Sequence, residues 1–381
     1  EELGPNHALA LACVFDECAR MVRILTFNVH SCIGRDGTYD VNRVAEAIRR
    51  ADCDIACLQE VEVNGQARKV RSYSAKHADN QPEFLAKATG LANISFSGPL
   101  CAYQGSYRRE CCENQFDEVL TRDWECDSGF GNAILSKFEI LDSRSFAFTL
   151  SAEPLSEEHV FMDREEQPRG ARAVLVDIDS KPFSPTLEQD EELKTEGAAL
   201  GMEKEAPMRQ NAYSCCRAPP RADMPEEAPP PPRALLWIVS TQLSHRLREQ
   251  REQACQLRDW IEELVVDQKG DEKIGVLVCG DMNSAPFAQC SSYSTLSSTP
   301  GWADLWKAKG TWCNQATSPW AFGTCCPTAC GTRVDHVFSV EREGLASLKC
   351  EGISVASETH ASTHCPVVVD VKMAGARKYA I

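Results

Sequence analysis

The stretches "RILTFNVH" (Arg23–His30) and "DIACLQEVE" (Asp54–Glu62) decide how this 381-residue chain folds. Each is a short apolar run of strand character that closes on a polar residue able to bind a metal or a phosphate. That residue is Asn28 in the first run and Glu60 in the second. Between them, "GRDGTYD" supplies turn chemistry through Gly34, Asp36 and Gly37. "VNRVAEAIRRA" then places apolar residues at Val41, Val44, Ala45 and Ile48, a helical period. The pattern predicts strand, loop, helix, strand, with Asn28 and Glu60 as halves of one site.

Further along, "PEFLAKATG" reads as a second helix stopped by Gly90. Strand character resumes in "FGNAILSKFEILDS" (Phe130–Ser143) and "ARAVLVDID" (Ala171–Asp179). "ALLWIVSTQL" (Ala234–Leu243) is a strong buried strand, and the amphipathic helix "REQREQACQLRDWIEELV" follows it. "IGVLVCGDMNSAP", "RVDHVFSV" and "THCPVVVDV" are three further strands, with Pro286 ending the loop after the first. Two stretches interrupt this order. Residues 101–128 are polar, Cys-rich and without period, and read as an inserted loop. Residues 181–232 hold ten of the chain's twenty prolines and read as a disordered or polyproline-like insertion, because such composition buries too little apolar surface to offset ordering. One domain over 21–376 is expected, with an N-terminal extension (1–20) and a short tail (377–381).

The formal net charge of −16 argues against a protein that coats nucleic acid without specificity, since an acidic chain gains little from counterion release. "RGAR" (Arg169–Arg172) and "HRLREQR" (His245–Arg251) leave room for a local basic groove. Twenty cysteines, about 5% of residues, fall below the level that marks a small disulfide scaffold. No paired C-x-x-C framework points to structural zinc, so reduced thiols and a cytoplasmic or other intracellular compartment are expected. No apolar run approaches the ~20 residues that span a bilayer.

Five strand ends present polar groups: Asn28, Glu60, Asp281 with Asn283, Asp335, and His364. Singly each is an ordinary loop residue, but the ordered set is hard to obtain by chance. It resembles the endonuclease/exonuclease/phosphatase superfamily, whose fold is that of pancreatic deoxyribonuclease. "TFNVH" looks like the first motif and "LQEVE" like the metal-glutamate motif. "GNAILSK" and "EQPRGA" resemble mid-chain motifs of bacterial-type hydrolase members. "GDMNSAP" looks like Gly-Asp-Phe-Asn, "RVDHVF" like the Arg-x-Asp strand, and "STHCPVVVDV" like the closing Ser-Asp-His-x-Pro motif. The resemblance implies an α/β four-layer sandwich, two packed mixed β-sheets flanked by helices.

It also implies a phosphoesterase that hydrolyses a phosphodiester or phosphomonoester by attack of an activated water on phosphorus. Glu60 would offer a hard oxygen to Mg²⁺, with Mn²⁺ as a substitute, and Asn28 would sit beside it, positioning the carboxylate or a phosphate oxygen. Asp281 would align or deprotonate the water, and Asn283 would donate to the phosphoryl group. His364, oriented by Asp335 across two neighbouring strands, would stabilise the transition state or act as acid or base. Arg169 is the candidate phosphate contact, because a guanidinium fork matches phosphate oxygens.

Two positions depart from the pattern. Thr363 stands at the metal site where the resemblance leads one to expect a carboxylate, and Gln242 stands where it leads one to expect a histidine. Gln242 donates a hydrogen bond but carries neither proton nor charge, a loss worth on the order of 3 kcal/mol in the transition state. His245 is a candidate replacement imidazole, and His30 a candidate substrate contact. The competing expectation is therefore an impaired member kept as a binding or scaffold protein, presenting a partner motif through its Pro-rich insertion. Net acidity points from bulk nucleic acid toward small or lipid-linked phosphoesters.

Overall fold

The structure, a computed structural model, describes residues 20–64, 77–100, 102–103, 106–107, 129–148, 169–180, 233–266, 273–308, 333–356 and 360–373. The N-terminal extension to residue 19, the Pro-rich insertion and most of the Cys-rich stretch lie outside them. So does Ser184–Pro232, a unit distinguished from the rest of the chain.

In chain order the first half comprises β1 (Met21–Asn28), α1 (Val41–Ala51), β2 (Ile55–Val63), α2 (Gln81–Thr89), β3 (Asn93–Leu100), β4 (Ala102–Tyr103), β5 (Ser106–Tyr107), β6 (Gly129–Ser136), β7 (Ile140–Ala147) and β8 (Gly170–Asp177). The second half comprises β9 (Ala234–Gln242), α3 (Leu247–Val266), β10 (Lys273–Asp281), α4 (Ser292–Ser297), β11 (Trp302–Asp304), α5 (Leu305–Ala308), β12 (Asp335–Val340), β13 (Leu348–Val355) and β14 (Val367–Met373). Local chemistry explains the helix ends. Asp40 caps α1 by accepting from the Asn42 and Arg43 amides, and Gly90 ends α2 in the left-handed conformation that glycine adopts without strain.

Two six-stranded mixed sheets form, in the orders β13-β14-β1-β2-β6-β3 and β11-β12-β10-β9-β8-β7. Each is built around one parallel pair with a helical crossover, β1-α1-β2 and β9-α3-β10. Three apolar layers hold them. Ile24, Ile134, Val174, Ile238 and Leu277 fill the space between the sheets. Leu25, Leu58, Val44 and Leu85 join the outer face of the first sheet to α1 and α2. Trp237, Val278, Leu257 and Tyr293 do the same for the second sheet with α3 and α4. This is the expected helix–sheet–sheet–helix sandwich.

Two details differ from the sequence pattern. "FGNAILSKFEILDS" is two strands rather than one: the chain turns at Lys137–Glu139 and passes from the first sheet (β6) to the second (β7). The edge strands β3 and β13 carry mixed polar and apolar residues, and pairing rather than hydrophobic alternation makes them strands. The described cysteines are free thiols, and no described helix is long and apolar enough to cross a membrane.

Candidate active site

The carboxyl ends of both parallel pairs lie at one edge of the sandwich, the usual place for ligands on such sheets. In the first sheet Asn28 ends β1, in register with Gln59 of β2. In the second, Gln242 ends β9, in register with Asp281 at the end of β10. The antiparallel neighbour β12 starts at this edge, so Asp335 pairs directly with Asp281.

Glu60 does not end its strand. The register of β2 against β6 shifts between Leu58 and Val61, and Glu60 takes the left-handed conformation (φ 56°). A bulge re-aims a side chain, and here it turns Glu60 toward the second sheet. Two other site segments share this unusual backbone: His30, Ser31 and Cys32 after Asn28 (φ 48°, 55° and 59°), and Asn283 after Asp281 (φ 49°). Such conformations in non-glycine residues cost energy and persist where the surroundings over-determine them, often at functional sites. Gly280 has its own reason to be glycine. At φ 144° a Cβ there would lie 1.9 Å from the Thr241 carbonyl oxygen, so only glycine lets β10 approach β9 just before Asp281.

The side chains converge across the gap between the sheets. Asn28 Nδ2 donates to Glu60 Oε1 (3.1 Å) and to Asp281 Oδ2 (3.0 Å). Gln242 Nε2 bridges the same two carboxylates, at 2.6 Å and 3.4 Å. Beneath them Gln59 Nε2 donates to Ser240 Oγ (3.0 Å), a further tie between the sheets. His364 Nδ1 lies 2.9 Å from Asp335 Oδ2, and its Nε2 is 3.8 Å from Asp281 Oδ2. The histidine precedes β14 of the first sheet and the aspartate opens β12 of the second, so the pair spans the sandwich instead of joining neighbouring strands.

Burial shapes the electrostatics. It raises the Asp281 carboxyl to about 6, assisted by the neighbouring Asp335 and opposed by His364 and by hydrogen bonds from Asn28 and Asn283. Burial alone would lower His364, but Asp335, Asp281 and the hydrogen bond to Asp335 outweigh it and raise the imidazole to about 9. At neutral pH the site therefore holds an imidazolium between two aspartates.

Of the residues expected from sequence, Asn28, Glu60, Gln242, Asp281, Asp335 and His364 are brought together. Asn283 adjoins them: its amide hydrogen donates to Asp281 Oδ1 (2.9 Å), and its Nδ2 donates to the Leu243 carbonyl (2.8 Å). Arg169 is buried and immediately precedes Gly170, which pairs with Gln242, so β8 delivers its backbone to the same edge. Thr363 is half-buried. The preceding Ser362 is the one tied in. Its hydroxyl donates to the Asn28 carbonyl (2.7 Å) and accepts from the His364 amide (3.2 Å). Sequence reasoning missed Ser362 although it lies in the "STHCP" motif, and it also missed Gln59. His30 contributes its amide to Asn28 Oδ1 (2.9 Å), while His245 is exposed.

Asp281, Asp335 and His364 each offer a ligand atom, all within 4.8 Å of one another. A histidine bonded to Asp335 repels a cation when protonated, so the carboxylate oxygens of Glu60 and Asp281 fit one better. That donor set suits a hard divalent ion such as Mg²⁺. Asn28, expected beside the metal, turns its amide nitrogen to both carboxylates and its oxygen to the His30 amide, and so orients the ligands instead of joining them.

A sequence model described as the Endonuclease/Exonuclease/phosphatase family matches residues 25–357. No curated protein sequence matches the chain. Among solved structures, an endonuclease/exonuclease/phosphatase from Beutenbergia cavernae is similar over 94% of this chain and 72% of its own, with a TM-score of 0.52 at 16% identity. The human Nocturnin catalytic domain with bound sulfate covers 93% of this chain and 95% of its own (TM-score 0.48, 13% identity). A mannosyl-6-phosphatase from Bacteroides thetaiotaomicron covers 92% and 99% (TM-score 0.49, 12% identity).

Proposed function

The chain belongs to the Endonuclease/Exonuclease/phosphatase family, whose members are hydrolases acting on phosphoesters, and on that premise we propose that it is a divalent-metal-dependent phosphoesterase. The observation that carries this reading is the hydrogen-bonded convergence of Asn28, Glu60 and Asp281 from two sheets, with His364 held charged beside them.

Glu60, with Asp281 adjoining, would hold the metal while Asn28 orients both carboxylates, and when bound the metal supplies positive charge that neutralises phosphoryl oxygens and lowers the pKa of water. Asp281, with a carboxyl raised toward neutrality, is suited to align a water and take its proton. His364 presents Nε2 as the outward face of an imidazole whose Nδ1 is committed to Asp335, so it can donate to the phosphoryl or leaving oxygen. Asn283 retains one amide hydrogen beyond the one given to Leu243, enough for a phosphoryl contact. Arg169 stands as the candidate anion contact at the β8 corner. The acidic charge of the chain favours small or lipid-linked phosphoesters over bulk nucleic acid.

One observation favours the impaired-scaffold reading. Both hydrogens of the Gln242 amide are used on Glu60 and Asp281, so this position braces the carboxylates and offers no donor to substrate. A hydrolysis screen decides. Mono- and diesters of nitrophenol, sugar phosphates, phospholipids and oligonucleotides are tested with Mg²⁺, Mn²⁺ or EDTA, beside Glu60→Ala. Metal-dependent turnover that disappears in EDTA and in Glu60→Ala is the expected result. Mn²⁺ binding without turnover on any class would favour the scaffold.

A further inference from the structure

We propose that Gln81 is a positioning residue of this site: one side chain clamps the turn behind Asn28 to the strand segment behind Glu60 and so sets the aim of both. The inference rests on the phosphoesterase reading for its catalytic consequence, but not for its structural one.

Gln81 is the first residue of α2 and has no exposed surface. A buried amide must be hydrogen-bonded to be tolerated, and the partners here are informative. Its Oε1 accepts from the Glu62 backbone amide at 2.7 Å, and its Nε2 donates to the Ser31 carbonyl at 3.0 Å and lies 3.3 Å from His77 Nε2. Ser31 is the centre of the left-handed turn His30–Cys32, and Glu62 lies two residues beyond the bulged Glu60. The clamp therefore joins the two strained segments that present Asn28 and Glu60.

A side chain does this work because backbone pairing runs out. β1 ends at Asn28, in register with Gln59, and the Val29 amide makes a last bond to the Gln59 carbonyl. Beyond that point β2 has lost its parallel neighbour, and the Gln81 amide takes over along that edge. The turn in its grip has a direct link to the chemistry. The His30 amide donates to Asn28 Oδ1, which leaves Nδ2 facing Glu60 and Asp281.

The helix carrying Gln81 is itself pinned. Asn80 caps it through the Glu83 amide and forms a bridge with Val63, and the Asn64 amide donates to the Asp79 carbonyl. Glu62 Oε2 meets His77 Nε2 at 3.0 Å, and the Tyr39 ring stacks on His77 with centroids 4.5 Å apart. Gln81 is thus anchored on one side by a hydrogen-bonded and stacked network and reaches the site from the other.

The test compares Gln81→Met, which fills the space and makes none of these bonds, with Gln81→Glu, which keeps the acceptor for Glu62 and loses the donor to Ser31 and His77. Thr89→Val is the control, because Thr89 sits at the far end of the same helix and bonds only the Leu85 and Ala86 carbonyls. Amide hydrogen exchange is measured on the metal-free full chain. Gln81→Met should accelerate exchange at both His30 and Glu62, Gln81→Glu at His30 alone, and Thr89→Val at neither. On a substrate found by the screen, kcat or Mn²⁺ affinity should fall about 10–100-fold in Gln81→Met, the usual effect of losing a group that orients a ligand, with KM for the ester little changed. Unaltered exchange at His30 in both variants would overturn the clamp. So would an equal loss of activity in Thr89→Val. If Gln81→Met fails to fold, Gln81→Glu carries the comparison alone. A wild type that hydrolyses nothing would refute the phosphoesterase reading, while the exchange data would still decide the clamp.

Discussion

Asp281→Asn should make the metal-free protein more stable at neutral and alkaline pH and the loaded protein much less active. The Asp281 carboxyl titrates near 6 in the fold against 3.8 free, because burial disfavours its charge more than its neighbours favour it. A raised carboxyl pKa means that the folded chain holds the proton more tightly than the unfolded one between those values. Wild-type stability from this group is therefore greatest below the lower value and falls as pH rises through the upper. The difference of about 2 units corresponds to about 3 kcal/mol. Asparagine cannot ionise and removes that dependence. It also presents one oxygen where the carboxylate presents two, so a donor among Asn28, Gln242 and the Asn283 amide loses its acceptor. That loss costs about 1–2 kcal/mol at every pH. The variant should be slightly less stable than wild type near pH 4 and about 1–2 kcal/mol more stable at pH 8, a swing of about 3 kcal/mol. Urea unfolding in EDTA across that range measures it. Turnover with Mg²⁺ should fall about 10²–10⁴-fold, the range for loss of a general base. A stability difference that does not change with pH would refute the account of Asp281 as a carboxylate held at a burial penalty.

Three further outcomes are expected. Gly280→Ala should cost about 4 kcal/mol or more, or prevent folding, because its Cβ would fall 1.9 Å from the Thr241 carbonyl oxygen at a backbone angle that alanine resists; a thermal melt at wild-type temperature would contradict this. His336 is buried, and burial with Arg333 nearby lowers it to about 4, so the unfolded chain takes up a proton below 6.5 that the folded chain refuses. Its contribution is present above 6.5 and about 3 kcal/mol is lost as pH falls toward 4; His336→Phe should flatten that acid limb in chemical denaturation. Gln242→His should weaken the brace between Glu60 and Asp281, and it should raise turnover only if the imidazole gains a substrate contact, which steady-state rates beside Mn²⁺ calorimetry will separate.

Much of the fold and half of the site's logic were legible in the chain itself. The buried runs of β1, β2, β9, β10, β12 and β14 are apolar enough to be strands wherever they pack, and a polar residue in or beside such a run signals a sheet end where loops meet. Asn28, Glu60, Asp281, Asp335 and His364 were visible on that ground. Edge strands β3 and β13 were not, since a strand paired on one side needs little hydrophobic pattern.

What the sequence could not determine is everything that depends on two sheets meeting. Glu60 reads as a strand terminus, yet it sits in a bulge that turns it toward Asn28 and Gln242, just where β1 stops and Gln81 bonds the edge of β2. His364 and Asp335 look like neighbours in a sheet but face each other across the sandwich. Ser362 rather than Thr363 bonds into the site. Composition and period report how a segment buries its own face. The direction in which a polar side chain points at a strand end is set by partners more than 200 residues away, such as Asp281 for Asn28, and only the packed structure brings them within hydrogen-bonding distance.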